Sequence, residues 1–191
     1  MKSRLQLATN PIKENRQAED FYATHPKALE IFLTKLEHYG DFLNKNIWEC
    51  AAGMGHLSTL LESKGFNVVK SDIVDRGCNA HVKNFLECNK KYDGDILTNP
   101  PFAFAEQFIE KAFELLNEGN RLYLFLKVQF LESGKRKKLF EKYPPKYVYI
   151  NSERQRVAKD GDFDKYTTNV MCFCWFVWEK GFIGETIVRW I

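Results

Sequence analysis

The chain has 191 residues, 45% of them hydrophobic and 28% charged, enough for one full hydrophobic core and cramped for two. Its net charge of +3 is too small to mark the whole chain as a polyanion binder, so any basic partner surface must be local. From Lys127 to Tyr166 there are eleven Lys/Arg against six Asp/Glu, so the basic excess sits in the later part of the chain.

Residues 1–20 are polar and read as a flexible arm. The run from Phe21 to Pro26 then leads into a helix, with Pro26 in the first turn, where a missing N–H costs nothing. Leu29, Phe32, Leu33 and Leu36 form an apolar stripe at helical spacing, and Gly40 is its stop. Residues 45–50 are the first predicted strand. It runs into Ala51, Ala52, Gly53, Met54, Gly55 and His56, and a short helix with Leu57, Leu60 and Leu61 follows. A strand, a glycine loop and a helix start make a cradle for a nucleotide-like cofactor, because glycine lets the backbone approach a ligand closely. Glu49 ends the strand as an acid suited to a ligand's ammonium. A second strand over 67–72 ends in Asp72, nineteen residues past Gly53, the distance at which a carboxylate meets ribose hydroxyls in a doubly wound sheet. The loop lacks the Gly-x-Gly-x-x-Gly spacing, since position 51 is Ala and position 58 is Ser, which argues for a ligand without a pyrophosphate.

A short third strand is expected over 78–82 and a fourth over 94–98, leading to Asn99, Pro100, Pro101 and Phe102. In open α/β sheets ligands bind outside the carboxyl ends of strands, so this loop is a site by position alone. A helix is predicted over about 104–117, a buried strand over 121–127, a basic helix over 133–142 and a sixth strand over 147–150. Residues 151–168 are polar and charged, and read as a long loop holding Arg154, Arg156 and Lys159, candidate phosphate contacts. Val170 to Trp178 is apolar on both faces and reads as a central strand, with Glu179 to Ile191 making a turn and a short closing segment. The five cysteines show no Cys-x-x-Cys spacing, which points away from a zinc site or a disulfide framework and toward a reducing compartment. No apolar run has membrane-spanning length and the first residues lack a signal-peptide core, so a cytoplasmic protein without metal or membrane partner is expected.

Glu-x-Ala-x-Gly-x-Gly, a second-strand acid and Asn-Pro-Pro-Phe after the fourth strand together resemble the S-adenosylmethionine-dependent DNA adenine N6-methyltransferases of the short bacteriophage and bacterial type. The likeness runs from about Asp20 to the end of the chain. It implies a Rossmann-like class I methyltransferase domain over 1–191, with a mostly parallel central sheet of about seven strands and an antiparallel last strand. By the same resemblance Tyr22 and Thr24 hold the methionine part of S-adenosyl-L-methionine, and Glu49, Ala51, Gly53 and Gly55 form its loop. Asp72 takes the ribose, and Asn84, where the family usually has Asp, accepts a hydrogen bond from the cofactor's adenine amine. The partner implied is double-stranded DNA with the target base flipped out, read by a monomer or weak dimer. Specificity would come from the 151–168 loop, the arm or a further partner.

The catalytic expectation follows from the chemistry of an adenine amine, whose lone pair is delocalised into the ring. Two acceptors, the Asn99 side-chain oxygen and the Pro100 carbonyl, would pull on its two N–H groups and aim the nitrogen. Pro100 and Pro101 hold their predecessors extended, and Phe102 would stack on the base for roughly 1–3 kcal/mol. The same four residues suit an adenine in RNA or a glutamine amide in protein. An idle nucleic-acid-binding domain is the reading from another class, and the intact Asn99 and Glu49 argue against it.

Overall fold

The computed structural model describes residues 22–159, 161–165 and 171–191. The arm expected over 1–20 lies outside these residues, as do positions 160 and 166–168 of the expected 151–168 loop and Val170.

The described chain opens with strand β1 (Tyr22–Thr24) and helix α1 (Pro26–His38). Then come β2 (Asn46–Glu49), α2 (His56–Ser63), β3 (Asn67–Asp72), β4 (His81–Val82), β5 (Asp95–Thr98) and α3 (Ala105–Leu115). The later half holds β6 (Arg121–Lys127), α4 (Gly134–Lys142), β7 (Tyr147–Ile150), β8 (Val157–Lys159), β9 (Phe173–Glu179) and β10 (Ile187–Trp190).

Eight strands form one sheet in the order β10-β7-β9-β6-β5-β2-β3-β4. β9 runs antiparallel to both β6 and β7, and the other neighbours pair in parallel. The antiparallel strand expected from 170–178 is therefore β9, and a further strand, β10, follows it and lies parallel to β7 at the edge. The chain builds outward from β2 through β3 and β4, then returns to lay β5 on the other side of β2. The crevice of this doubly wound sheet opens at that reversal, above the carboxyl ends of β2 and β5.

Strand periodicity sorts the core into two layers. Leu122, Leu124 and Leu126 of β6 join Cys174, Phe176 and Trp178 of β9 on the face covered by α3 and α4. Tyr123, Phe125, Trp175 and Val177 point the other way, onto Leu29, Phe32 and Leu36 of α1 and Leu57 and Leu61 of α2. Each large side chain removed from water in this way contributes about 1.5–3 kcal/mol. The buried indoles all place their N–H: Trp175 donates to the Ala28 carbonyl at 3.1 Å, Trp178 to the Tyr143 carbonyl at 3.0 Å and Trp48 to Ser71 Oγ at 2.8 Å.

Besides β10, two segments differ from the sequence expectation. The third strand is only His81–Val82, because Gly77 and Asn79 both take left-handed backbone (φ 89° and 57°) and break the extended run over 78–82. The polar 151–168 segment is not all loop. It contains β8, which pairs antiparallel with β1 in a small second sheet, Thr24 facing Val157 and Tyr22 facing Lys159. No helix among the described residues is long and apolar enough to cross a membrane.

Candidate active site

The loop after β2 is shaped by two left-handed glycines, Gly53 (φ 55°) and Gly55 (φ 77°), the second of which caps the start of α2. At Gly55 a Cβ would sit 2.7 Å from the Cys78 Cβ, so glycine is required there by both backbone and space. Asp72, at the end of β3, organises the same loop. Its carboxylate accepts the Gly53 N–H at 2.7 Å and the Val74 N–H at 3.2 Å, while Ala52 N–H donates to the Ser71 carbonyl at 3.0 Å. Gly53 and Gly55 thus bend the loop from behind. The residues that line the crevice are Glu49, Cys50, Ala51 and Ala52, and then His56 and Leu57 at the helix start.

The opposite wall is the loop after β5. Thr98 is fully buried and its hydroxyl lies 3.4 Å from the Ala51 carbonyl, tying the two loops together. Asn99 follows, and its Nδ2 donates to the Tyr22 carbonyl at 2.8 Å. With the amide nitrogen held by β1, the Oδ1 is left buried and without a partner. The Pro101 carbonyl accepts the Phe104 N–H at 2.9 Å and so belongs to the turn that starts α3, while Pro100 stands on the crevice wall. The Phe102 ring packs against Tyr22 (centroids 6.2 Å apart, planes at 27°), and the Lys127 ammonium lies 4.8 Å from its centre. That cation was invisible to the sequence reading, in which the ring was free to stack on a base.

Between these walls is a cavity of about 360 Å³, within the range of small-molecule sites. Tyr22 and Thr24, Glu49 and Ala51, Asp72, Asn84 and the run from Asn99 to Phe102 all line it, together with apolar groups from Ile73, Phe85, Leu86, Phe104 and Phe108. Its polar groups are unusual in a specific way. Thr24 Oγ1, Glu49 Oε2 and Asn99 Oδ1 are buried oxygens without a hydrogen-bond partner in the protein, and all three residues belong to this wall. An unmade hydrogen bond on a buried polar atom costs about 1–3 kcal/mol, so a ligand bringing donors to Glu49 and Asn99 and an acceptor or donor to the Thr24 hydroxyl would recover it. Burial pushes the Glu49 carboxyl up to about 8, with the neighbouring Asp72 charge adding to the shift and the Ser58 backbone and hydroxyl offsetting part of it. A cationic ligand group beside Oε2 reverses that balance and lets the carboxylate ionise.

Asn84 is on the wall but is already engaged, its Oδ1 accepting the Leu86 N–H at 3.1 Å and its Nδ2 donating to Glu87 at 2.8 Å. Its oxygen keeps one lone pair for a ligand. Arg154, Arg156 and Lys159 do not line this cavity. Lys159 is an exposed member of β8, and Arg154 and Arg156 border a separate notch beside His25.

Sequence reasoning missed one feature that the β1–β8 pairing creates. Phe163 sets its ring between His25 (5.0 Å, edge-on) and His56 (5.4 Å, edge-on), so residues 161–165 pack beside His56, which lines the cavity. Burial is the main cause lowering both imidazoles, with Arg156 and Lys27 adding to the effect at His25 and His25 adding to it at His56. His56 read in sequence only as a helix-start residue.

Comparison of the sequence with protein-family models and with curated proteins finds no match. Solved structures do share its architecture. A proposed RNA methyltransferase of Pyrococcus horikoshii superposes with a TM-score of 0.58 at 16% identity, over 83% of this chain and 86% of that one. A proposed class I S-adenosylmethionine-dependent methyltransferase of Listeria monocytogenes gives 0.61 at 14% identity, over 94% and 67%. The modification subunit of a proposed type I restriction enzyme from Vibrio vulnificus gives 0.61 at 14% identity, over 90% of this chain and 47% of that longer one. At these identities the likeness is one of fold, and with the strand order and the single antiparallel strand it is decisive: the chain has the Rossmann-like fold of the class I methyltransferases.

Proposed function

We propose that this protein is an S-adenosyl-L-methionine-dependent methyltransferase that methylates the exocyclic N6 amine of adenine in DNA. The observation that carries the reading is the Asn99 side chain: the residue lines the cavity, its nitrogen is tied to the Tyr22 carbonyl, and its buried oxygen has no partner in the protein.

The cavity suits the cofactor through its own unsatisfied atoms. Glu49 Oε2 would take the ammonium of the methionine part, Thr24 Oγ1 its carboxylate end, and the Asp72 carboxylate has lone pairs beyond its two backbone donors for ribose hydroxyls. Phe85, Leu86 and Phe108 give the adenine ring an apolar slot with Asn84 at its rim. When bound, the cofactor supplies a methyl group on a sulfonium as the electrophile.

The chain's own residues then prepare the nucleophile. Asn99 Oδ1 accepts one N–H of the target amine and the Pro100 carbonyl the other, which draws the nitrogen toward tetrahedral geometry and aims its lone pair. The prolines keep both acceptors at fixed angles, and Pro101 spends its own carbonyl on the α3 turn. As the N–C bond forms, the methyl group's bond to sulfur would break and leave a neutral thioether; the amine is then cationic and acidic, so its proton passes to water without a strong base. The fold alone does not choose the substrate, since structures named for RNA and for restriction-system modification share it. Adenine in DNA is favoured by the Asn-Pro-Pro-Phe order after the cofactor loop.

Purified protein with methyl-labelled cofactor and a mixture of unmethylated DNA, RNA and ribosomal protein tests this reading. Label in DNA is expected. Label confined to RNA or protein would replace the substrate assignment, and no label in any of them would reject the enzyme reading.

A further inference from the structure

Apart from the main cavity, a notch of about 300 Å³ is lined by His25, Lys27, Glu153, Arg154, Gln155 and Arg156. Its frame is fixed by backbone bonds. His25 N–H donates to the Arg156 carbonyl at 3.0 Å, β1 pairs with β8 just beyond, and buried Gln155 donates through Nε2 to the Glu153 carbonyl at 3.1 Å. Lys27, Arg154 and Arg156 line it together with one carboxylate, Glu153.

The helix start beside the notch supplies no free donors. Pro26 has no N–H, the Lys27 N–H is taken by His25 Nδ1 at 3.2 Å and the Ala28 N–H by the His25 carbonyl at 2.9 Å. An anion must therefore be held by side chains. Because His25 Nδ1 accepts a hydrogen bond, the neutral ring carries its proton on Nε2 and adds a fourth donor.

The notch also lies at a telling place along the chain. Asn99 is bonded to Tyr22, and Tyr22 to His25 is three steps of extended backbone, about 10 Å. That is on the scale of one nucleotide, from a base's exocyclic amine to its sugar–phosphate.

We infer that this notch is a single-phosphate site, in which Lys27, Arg154 and Arg156 seat one backbone phosphodiester of the target strand beside the base held at Asn99. The inference rests on the nucleic-acid reading above and deepens it. A phosphate contact carries no sequence information but sets register, which is what placing one base into a cavity requires.

The test uses the full chain with S-adenosylhomocysteine and a fluorescently labelled, adenine-containing single-stranded DNA, titrated at several salt concentrations. Lys27→Ala/Arg154→Ala should weaken binding about tenfold at fixed salt and flatten the slope of log affinity against log salt by about 0.7, the value of one single-strand phosphate. Glu153→Gln removes the opposing carboxylate and should tighten binding, which a merely structural role would not do. Inorganic phosphate at matched ionic strength should compete weakly with wild type and not with the double variant. An unchanged slope in the double variant, with wild type binding and methylating DNA, overturns the notch and leaves the function standing. A slope change of twice that size would mean two separate phosphates and also overturns it. Wild type that labels only protein overturns the functional reading and the notch together.

Discussion

Glu49→Gln gives the sharpest physical test of how the cavity is built. Glu49 is only 2% exposed, and burial raises its carboxyl from 4.5 to about 8. Between those values the folded chain holds the proton while the unfolded chain has released it. Stability from this group is therefore full below about pH 4.5, declines as pH rises and is lost above about pH 8. At about 1.4 kcal/mol per unit, the ionised group costs the ligand-free fold on the order of a few kcal/mol at pH 8. Glutamine keeps the shape and cannot ionise. Its melting temperature should exceed that of wild type by roughly 5–10 °C at pH 8 and converge with it toward pH 4.5. Cofactor affinity should move the other way, because the variant loses a charge-assisted hydrogen bond worth about 1.5–3 kcal/mol, roughly 10- to 150-fold. Thermal melts across pH and titration calorimetry read the two effects separately. A variant less stable than wild type at pH 8, or one that binds cofactor equally well, would refute this account of Glu49.

Two other substitutions probe the frame of the same cavity. Gly55→Ala must place a Cβ at φ 77° and 2.7 Å from Cys78, and should lower stability by about 1–3 kcal/mol in denaturant unfolding; Cys78→Gly in the same chain should restore part of the loss. Asp72→Ala strips the Gly53 and Val74 N–H groups of their acceptor, at about 1–3 kcal/mol for each one left buried and unpaired. It should weaken cofactor binding at least tenfold by calorimetry, through loop geometry as well as through any ribose contact.

The parts of the fold that read well from sequence are those set by continuous apolar runs or strict alternation. β6 and β7 match their predicted bounds because Arg121–Lys127 and Tyr147–Ile150 are buried strand segments with no competing helical period. β3 matches because Asp72 ends it with a group that must turn to cap the neighbouring loop. β1 and β8 were not legible. Each is three residues long, and each is a strand only because the other exists, across a sequence separation that no local pattern reports. Gly181 and Gly184 make the last thirteen residues read as a turn and a short closing segment, and the largely exposed side chains of β10 leave no buried alternation to mark it as a strand. In the site, the motif residues Glu49 and Asn99 stood out by type and order, and the reason their oxygens are free could be seen only in three dimensions. The Phe163 wedge between His25 and His56, and the Lys127 ammonium over Phe102, depend on loop closure that sequence does not encode locally.

The central claim is that Asn99 aims an adenine amine. It is tested most directly by hydrolysing unmethylated DNA to nucleosides after incubation with protein and cofactor, and measuring N6-methyladenine by mass. Wild type should produce it, and Asn99→Ala should produce none while binding cofactor with nearly unchanged affinity. Methylated adenine made equally well by the variant, or absent from the wild-type reaction, would contradict the account.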